Sequence, residues 1–351
     1  MVRESRLGRE AVSKEKEGEE GQHFDSGRAV VWNFSTSTRH ALVATATGGT
    51  YFEDFVLFSL PFWRIYAVKH DLAIVVIRDS SFAGNLSVGP GGAWLKMLIP
   101  TYVRNLLPSI ERLALVDTDV IMNPSAPNVF EFTPPGQIGV VSQTQGLPFD
   151  LLLARKRMAY LRKSYYAEQY PLDSLLFATP EQIFVAEGLH QHPDSFCSGL
   201  VVLDVLDADL FTRWYREVDG RVVRKANAWE QTYLNHKVLE HGCHWMPYEF
   251  QAIWNLEMAV NHSALYTLGN LEGALASRLA VSSTLVNRFF LHFAGSWPES
   301  WAWRNDPIET LRLVSTLTSS DFETYLAKAP TGQPVGKVAS PKRGEDLRGL
   351  K

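Results

Sequence analysis

Short, unbroken apolar runs alternate along the chain with longer stretches whose apolar residues recur every three to four positions. ALVATAT (41–47) stops at Gly48-Gly49 and reads as a buried strand, DLAIVVIRD (71–79) as a second and ERLALVDTDVIM (111–122) as a third. Between them, YFEDFVLFSLPFWRIY (51–66) and AWLKMLIPTYVRNLL (93–107) carry the helical period, with Pro61 and Pro100 expected to kink or bound them. Runs that are apolar at nearly every position suit strands covered on both faces. This alternation predicts βαβ units, and so an α/β protein with a mostly parallel sheet flanked by helices.

The pattern loosens after Asp119. IGVVSQT (138–144) and SGLVVLDV (198–205) read as strands, and DLLLARKRMAYLRKSYYAEQYP (150–171), ADLFTRWYREVD (208–219) and WEQTYLNHKVLEHG (229–242) as helices. RFFLHFAGSWPESW (288–301) reads as a strand running into a turn. The expected boundaries are a disordered polar tail at 1–27, a single large domain at 28–328 and a flexible tail at 329–351.

Composition narrows the function. At 351 residues and 46% hydrophobic, the chain can bury a large core. A net charge of −4 lacks the basic excess of a nucleic-acid binder. Two cysteines, Cys197 and Cys243, make no disulfide framework and no CxxC pair. No segment reaches the roughly 18 apolar residues of a membrane helix, and the polar opening lacks an apolar signal core. A cytoplasmic protein with no integral membrane segment is expected, or one of the secretory pathway if an anchor is missing from this chain. The sequons at Asn33, Asn85 and Asn261 change nothing without such a signal.

Candidate chemistry concentrates at Asp117 and Asp119. In an extended segment, residues two apart project to one side, so these carboxylates are expected to converge. Two such charges about 4 Å apart repel by roughly 4 kcal/mol at an effective dielectric near 20, which a hard divalent cation relieves. The bland reading is that both merely cap a turn. A second D-x-D, Asp207 and Asp209, precedes a helical pattern and reads as capping. His190 with His192, and Cys243 with His241 and His244, lack a second pair at zinc spacing and read as surface or packing residues. Arg155, Lys156, Arg157, Arg162 and Lys163 form a run expected to be a solvated helix face, the functional alternative being a dock for an acidic acceptor or a membrane surface.

Taken in order, several segments give the sequence a likeness to known enzymes. ALVATAT, the W-x-K of Trp94 and Lys96, LVDTDVIMNP, FCSGLVVLDV, WEQTYLN and FLHFAGSWPESW span about residues 40–302. The set resembles the GT-A glycosyltransferases, most closely the retaining family 8 enzymes, relatives of glycogenin and the glucoside xylosyltransferases. The resemblance implies a GT-A fold, an α/β domain with a Rossmann-like, mixed and mostly parallel sheet, and a metal-dependent transferase that moves a hexose or pentose from a UDP-sugar to a hydroxyl acceptor. Asp117, Asp119 and His292 would ligate Mn²⁺ or Mg²⁺, with Thr118 between them. Ala44 and Thr45 would line the uridine site, and Lys96 would face the diphosphate or donor sugar. Ser198, Gly199, Glu230 and Gln231 would surround the sugar and the acceptor hydroxyl, with Gln231, Glu230 and Lys96 as candidates for the chemistry. Gly295 would bring backbone to the phosphates. The nucleotide part would cover about 40–145 and the acceptor part about 146–305. Partners would be a nucleotide sugar and a glycan, protein-linked sugar or lipid, with a homodimer as an option.

The likeness has departures. Cys197 replaces the family's asparagine before S-G, Glu230 replaces an aspartate, and S-W-P-E-S-W lacks the family's final lysine, leaving Trp297 or Trp301 in that region. They keep a non-catalytic nucleotide-sugar-binding protein as the alternative. A sugar-nucleotide pyrophosphorylase fits less well, because TGGTYFEDF (47–55) offers no basic residue to a triphosphate.

Overall fold

A computed structural model of the chain describes residues 21–86, 92–166, 174–218, 230–295 and 297–318. Eleven strands occur among them: β1 (Gln22–Phe24), β2 (Ala29–Trp32), β3 (His40–Thr45), β4 (Leu72–Ile77), β5 (Arg112–Val116), β6 (Val120–Met122), β7 (Gly139–Val140), β8 (Leu200–Asp204), β9 (His244–Trp245), β10 (Ala252–Ile253) and β11 (Phe290–His292). Eight form one sheet in the order β1-β2-β4-β3-β5-β8-β7-β9, and β10-β11-β6 form a second. β3, β4 and β5 run parallel at the centre of the large sheet, and β2 and β8 run against them. The expected mixed α/β sheet flanked by helices is the observed one.

Continuous apolar runs produce this layering. Along β3 to β5, alternate residues go to opposite cores: Val43, Val75 and Leu115 on one side, Leu42, Ile74 and Ala114 on the other. The first core is closed by Trp94, Ile99, Phe211 and Leu234, the second by Trp63, Tyr66 and Phe250. A third cluster, around Trp254, Met258, Tyr266 and Leu285, packs on the small sheet through Ile121 and Leu291.

Several expectations need correction. ALVATAT is not the first folded element, since β1 and β2 precede it, and β1 lies inside the stretch read as a tail. The run 111–122 is two strands in two sheets, β5 and β6. IGVVSQT contributes only Gly139–Val140 and an isolated bridge from Ser142 to Phe196. Residues 93–107 are a 3₁₀ turn, Gly92–Met97, followed by a helix from Ile99 to Leu106, and Pro100 starts that helix rather than interrupting it. Residues 167–171 of the basic helix and 219 and 229 of two others lie outside the described residues.

The 51–70 stretch bends for a covalent reason. Pro61 has no N–H to close an α-turn on Leu57, and a π-turn spans Phe55–Ser59 before the helix resumes at Leu60–His70. Ser59, a polar residue inside an apolar run, thereby meets the loop that carries Asp117 and Asp119.

Candidate metal centre

Strand register assembles the site. Val116 at the carboxyl end of β5 faces Leu200 of antiparallel β8, and one step further the Asp117 N–H donates to the Gly199 carbonyl at 3.1 Å. The chain then turns, with the Val120 N–H on the Asp117 carbonyl at 3.2 Å, and enters the second sheet as β6. There Val120 pairs with His292 of β11, and the Phe293 N–H donates to the Asp119 carbonyl at 3.1 Å. Asp117, Asp119 and His292 thus meet where the chain crosses between sheets. Asp117 and Asp119 converge because of a turn, not because of strand alternation, which corrects the geometry expected from sequence.

One ligand atom from each of the three residues lies within 4.8 Å of the others. His292 Nε2 stands 3.2 Å from Asp119 Oδ1 and 3.8 Å from Asp117 Oδ2. The histidine is buried and both aspartates are partly open. Burial alone would lower the His292 pKa, but Asp119 and then Cys197 outweigh it and hold the ring well above the ordinary histidine value. Two carboxylates and an imidazole, partly open on one side, match the donors that Mn²⁺ accepts and Mg²⁺ tolerates.

The other face of the ring supports the same fit. His292 Nδ1 lies 2.7 Å from Gln251 Nε2 and 3.4 Å from Cys197 Sγ. The Gln251 Oε1 is buried with no hydrogen-bond partner. A half-turn of that amide places Oε1 on Nδ1, which gives the Nδ1 proton an acceptor and lets Nε2 be the nitrogen that exchanges its proton for a metal. Gln251 reaches this position from a 3₁₀ turn, Tyr248–Gln251, that leads into β10, whose Ile253 pairs with His292.

Lys96 is not an exposed helix residue; it lies in the 3₁₀ turn Gly92–Met97. It is 5% exposed, and its Nζ lies 2.7 Å from Asp117 Oδ1, 2.8 Å from the Ser198 carbonyl and 3.2 Å from Glu230 Oε1. It donates to Asp117 and to Ser198, and Glu230 completes the charge balance as an ion pair. Burial would pull its pKa down, but Asp117 and Glu230 raise it above the usual lysine value. Glu230, buried, also accepts from Ser198 Oγ at 2.8 Å. Asp117 is therefore clamped through one oxygen, and the other is turned towards His292.

The remaining candidates lie around this core. Ala44 and Thr45 end β3, the first buried and the second half-buried. Gln231 opens the helix Gln231–His241 and is half-buried. Gly295 has φ +87°, a conformation that favours glycine, and is exposed. Thr118 is buried, and its carbonyl accepts from Ser59 Oγ at 2.6 Å.

Sequence reasoning missed the groups that hold the turn. The Ser59 hydroxyl in turn accepts from Trp303 Nε1 at 2.8 Å, and Trp63 Nε1 donates to the Val120 carbonyl at 2.8 Å. Polar atoms inside apolar runs, as at Ser59 and Gln251, were the only signal available.

The rival clusters resolve structurally. Asp209 pairs with Arg104 at 2.7 Å, and Asp207 occupies the N-cap position but makes no capping hydrogen bond. The rings of His190 and His192 pack edge to face at 5.7 Å, and His192 lies 5.9 Å from His236. Arg162 departs from the solvated face expected of the basic run: it pairs with Glu299 at 2.7 Å in the interior, under the Trp297 ring at 3.7 Å.

No family model and no curated protein sequence matches the chain. Solved structures similar to it include a glycosyltransferase involved in glycosylation of the major capsid of PBCV-1, at 9% identity over 79% of this chain and 99% of that one, TM-score 0.41. The apo bifunctional glycosyltransferase WbbM matches at 12% identity over 82% of this chain and 51% of its own, TM-score 0.39. Mouse xyloside xylosyltransferase 1 matches at 13% identity over 65% and 92%, TM-score 0.32. Superpositions this loose leave the weight of any functional reading on the site itself.

Proposed function

We propose that the chain is a metal-dependent retaining glycosyltransferase of the GT-A type, similar to family 8, which moves a hexose or pentose from a UDP-sugar to a hydroxyl acceptor. The observation that supports it most is the meeting of Asp117, Asp119 and His292 at the carboxyl end of a central parallel strand, where α/β folds bind ligands.

In this reading Asp117, Asp119 and His292 hold Mn²⁺ or Mg²⁺. A divalent ion there supplies positive charge against the diphosphate of departing UDP. Lys96 does its work through Asp117, fixing one carboxylate oxygen so that the other keeps its aim; Glu230 and Ser198 fix Lys96. Gln251 orients His292 from behind. Ala44 and Thr45 line the uridine side, and Gly295 lets backbone approach the phosphates. Gln231, beside Glu230, faces the donor sugar and steadies positive charge at the anomeric carbon. The bond from that carbon to the diphosphate breaks, the acceptor oxygen bonds to the same face, and the acceptor proton passes to the leaving phosphate. Residues 40–145 supply the nucleotide side and 146–305 the acceptor side.

A panel of UDP-sugars with and without Mn²⁺, read as UDP release, tests the proposal beside Asp119→Ala. UDP release that needs Mn²⁺ and disappears in the variant is expected. Release that ignores both sinks the metal-dependent reading. Tight nucleotide-sugar binding without turnover would favour the non-catalytic alternative instead, for which Cys197 against His292 is the supporting feature.

A further inference from the structure

The helix Leu151–Tyr166 reads LLLARKRMAYLRKSYY and contains no acidic residue, in a chain of net charge −4. Its inner side is committed: Ala154, Met158, Leu161 and Arg162 are buried, and the helix packs on the Trp254–Asn261 helix. The outer side is not what a solvated face should be. Leu152 is 55% exposed, Leu153 65% and Tyr160 70%. Lys156, Arg157 and Lys163 are exposed among them. At 100° per residue, these six positions cover about 140° of the helix circumference, with Leu153 and Tyr160 near the middle and cations to both sides.

A face that only needed water would not present two leucines and a tyrosine. A face for a protein partner of mixed charge would not exclude every carboxylate. Large apolar side chains flanked by Lys and Arg stems are the pattern of a helix lying in a membrane interface, where apolar groups enter the acyl boundary and long cationic stems reach the phosphates. Among the described residues no helix is long and apolar enough to cross a membrane, so this contact is peripheral.

We propose that this outer face of the Leu151–Tyr166 helix docks on an anionic lipid surface. The complementarity is one of charge, with Lys156, Arg157 and Lys163 meeting lipid phosphates, and of apolar burial by Leu152, Leu153 and Tyr160. Arg157 is also braced from beneath by bonds to the Val260 carbonyl and Ser263 Oγ, at 3.1 and 2.9 Å, so the face is held rigid. The same helix touches the loop after His292 through Arg162 and Trp297. The docking helix is therefore in contact with the segment that follows the candidate site's β11. The proposal needs nothing of the transferase reading.

Flotation of the full chain with vesicles tests it, using phosphatidylcholine alone or phosphatidylcholine mixed with phosphatidylglycerol, without nucleotide or metal. Co-flotation with the anionic vesicles only, weakening as salt is raised, is expected. Lys156→Gln with Lys163→Gln should weaken partitioning about thirty-fold, from about 1 kcal/mol for each basic residue near such a surface. Leu153→Asn with Tyr160→Asn should abolish it at any salt, with unchanged circular dichroism. Anionic vesicles should also slow hydrogen exchange of amides 151–166 in the unmodified chain, which requires no variant. Absence of flotation overturns the proposal, as does equal flotation with neutral vesicles. Salt-sensitive retention on a soluble acidic polysaccharide without vesicle binding overturns it in favour of an acidic glycan. A dimer that dissociates in the Leu153→Asn/Tyr160→Asn variant, again without vesicle binding, overturns it in favour of a second copy. Asp119→Ala should float like the parent protein, so loss of UDP release and loss of docking are separable.

Discussion

The His292 ring lies directly on Gly199, so closely that a Cβ at residue 199 would stand 2.4 Å from His292 Cε1 and 2.6 Å from Nδ1. Gly199 does not have a positive φ, and its lack of a side chain is required by the ring and by Gln251 Nε2 behind it, which would stand 2.8 Å from the same Cβ. Gly199→Ala should push the ring away from Asp119 or destabilise the fold by about 1–3 kcal/mol, the usual range for overpacking. A melting curve beside a Mn²⁺ titration distinguishes the two, and an alanine that leaves both unchanged contradicts the geometry.

Removing a ligand should cost more than removing its neighbours. Asp119→Ala and His292→Ala are each expected to lower Mn²⁺ affinity by more than the roughly 10–100-fold typical of outer-sphere changes. Isothermal titration measures this without any substrate.

Gln251 offers a graded test of the support behind His292. Gln251→Leu deletes the partner of Nδ1 and should weaken Mn²⁺ about 10–100-fold. Gln251→Glu keeps an acceptor for the Nδ1 proton and should hold or raise affinity. Imidazole ¹⁵N shifts report the protonation state directly: both nitrogens should carry protons in the metal-free protein, and Nδ1 alone once metal is bound.

The pH response has a definite sign. In the metal-free protein the pKa of His292 stands above its unfolded value, so its protonated form contributes stability fully below the ordinary histidine pKa. That contribution is lost as pH rises through the raised folded value. A metal on Nε2 requires the proton to leave, so Mn²⁺ affinity should climb with pH while metal-free stability declines. Calorimetry in two buffers of different ionisation enthalpy should register proton release near neutrality, and His292→Gln should not release one.

Arg162 and Glu299 are both nearly inaccessible and joined at 2.7 Å, with Tyr266 donating to the same Glu299 oxygen at 2.8 Å. Taking away one partner leaves a buried charge unanswered. Arg162→Ala should destabilise the protein by about 3–5 kcal/mol, whereas Arg162→Met with Glu299→Leu should recover most of that. Urea denaturation checks both.

The layers of the fold could be read from the order of residues. LAIVVI at 72–77 is apolar at every position because β4 is covered on both faces, and such runs announce a buried strand without any contact being known. The acids of D-T-D and the chemistry of a histidine in FLHF were equally visible, as side-chain types are. What the residue order could not supply was the crossing between sheets. The expectation of one strand from 111 to 122 failed because apolar periodicity is the same on either side of Asp117, and only long-range pairing shows that Val116 joins β8 while Val120 joins β11.

The same physics separates the candidates. Lys96 and Ser59 belong to local patterns that fit an ordinary helix, yet Lys96 is spent on Asp117, Ser198 and Glu230, and Ser59 on the Thr118 carbonyl. Those partners are 21 to 134 residues away, where no local periodicity reaches. Sequence determined which side chains exist and which segments must be buried, because transfer from water is a property of each residue. Tertiary structure alone decided which buried polar atoms face one another, because that depends on strand register and on close packing such as His292 against Gly199.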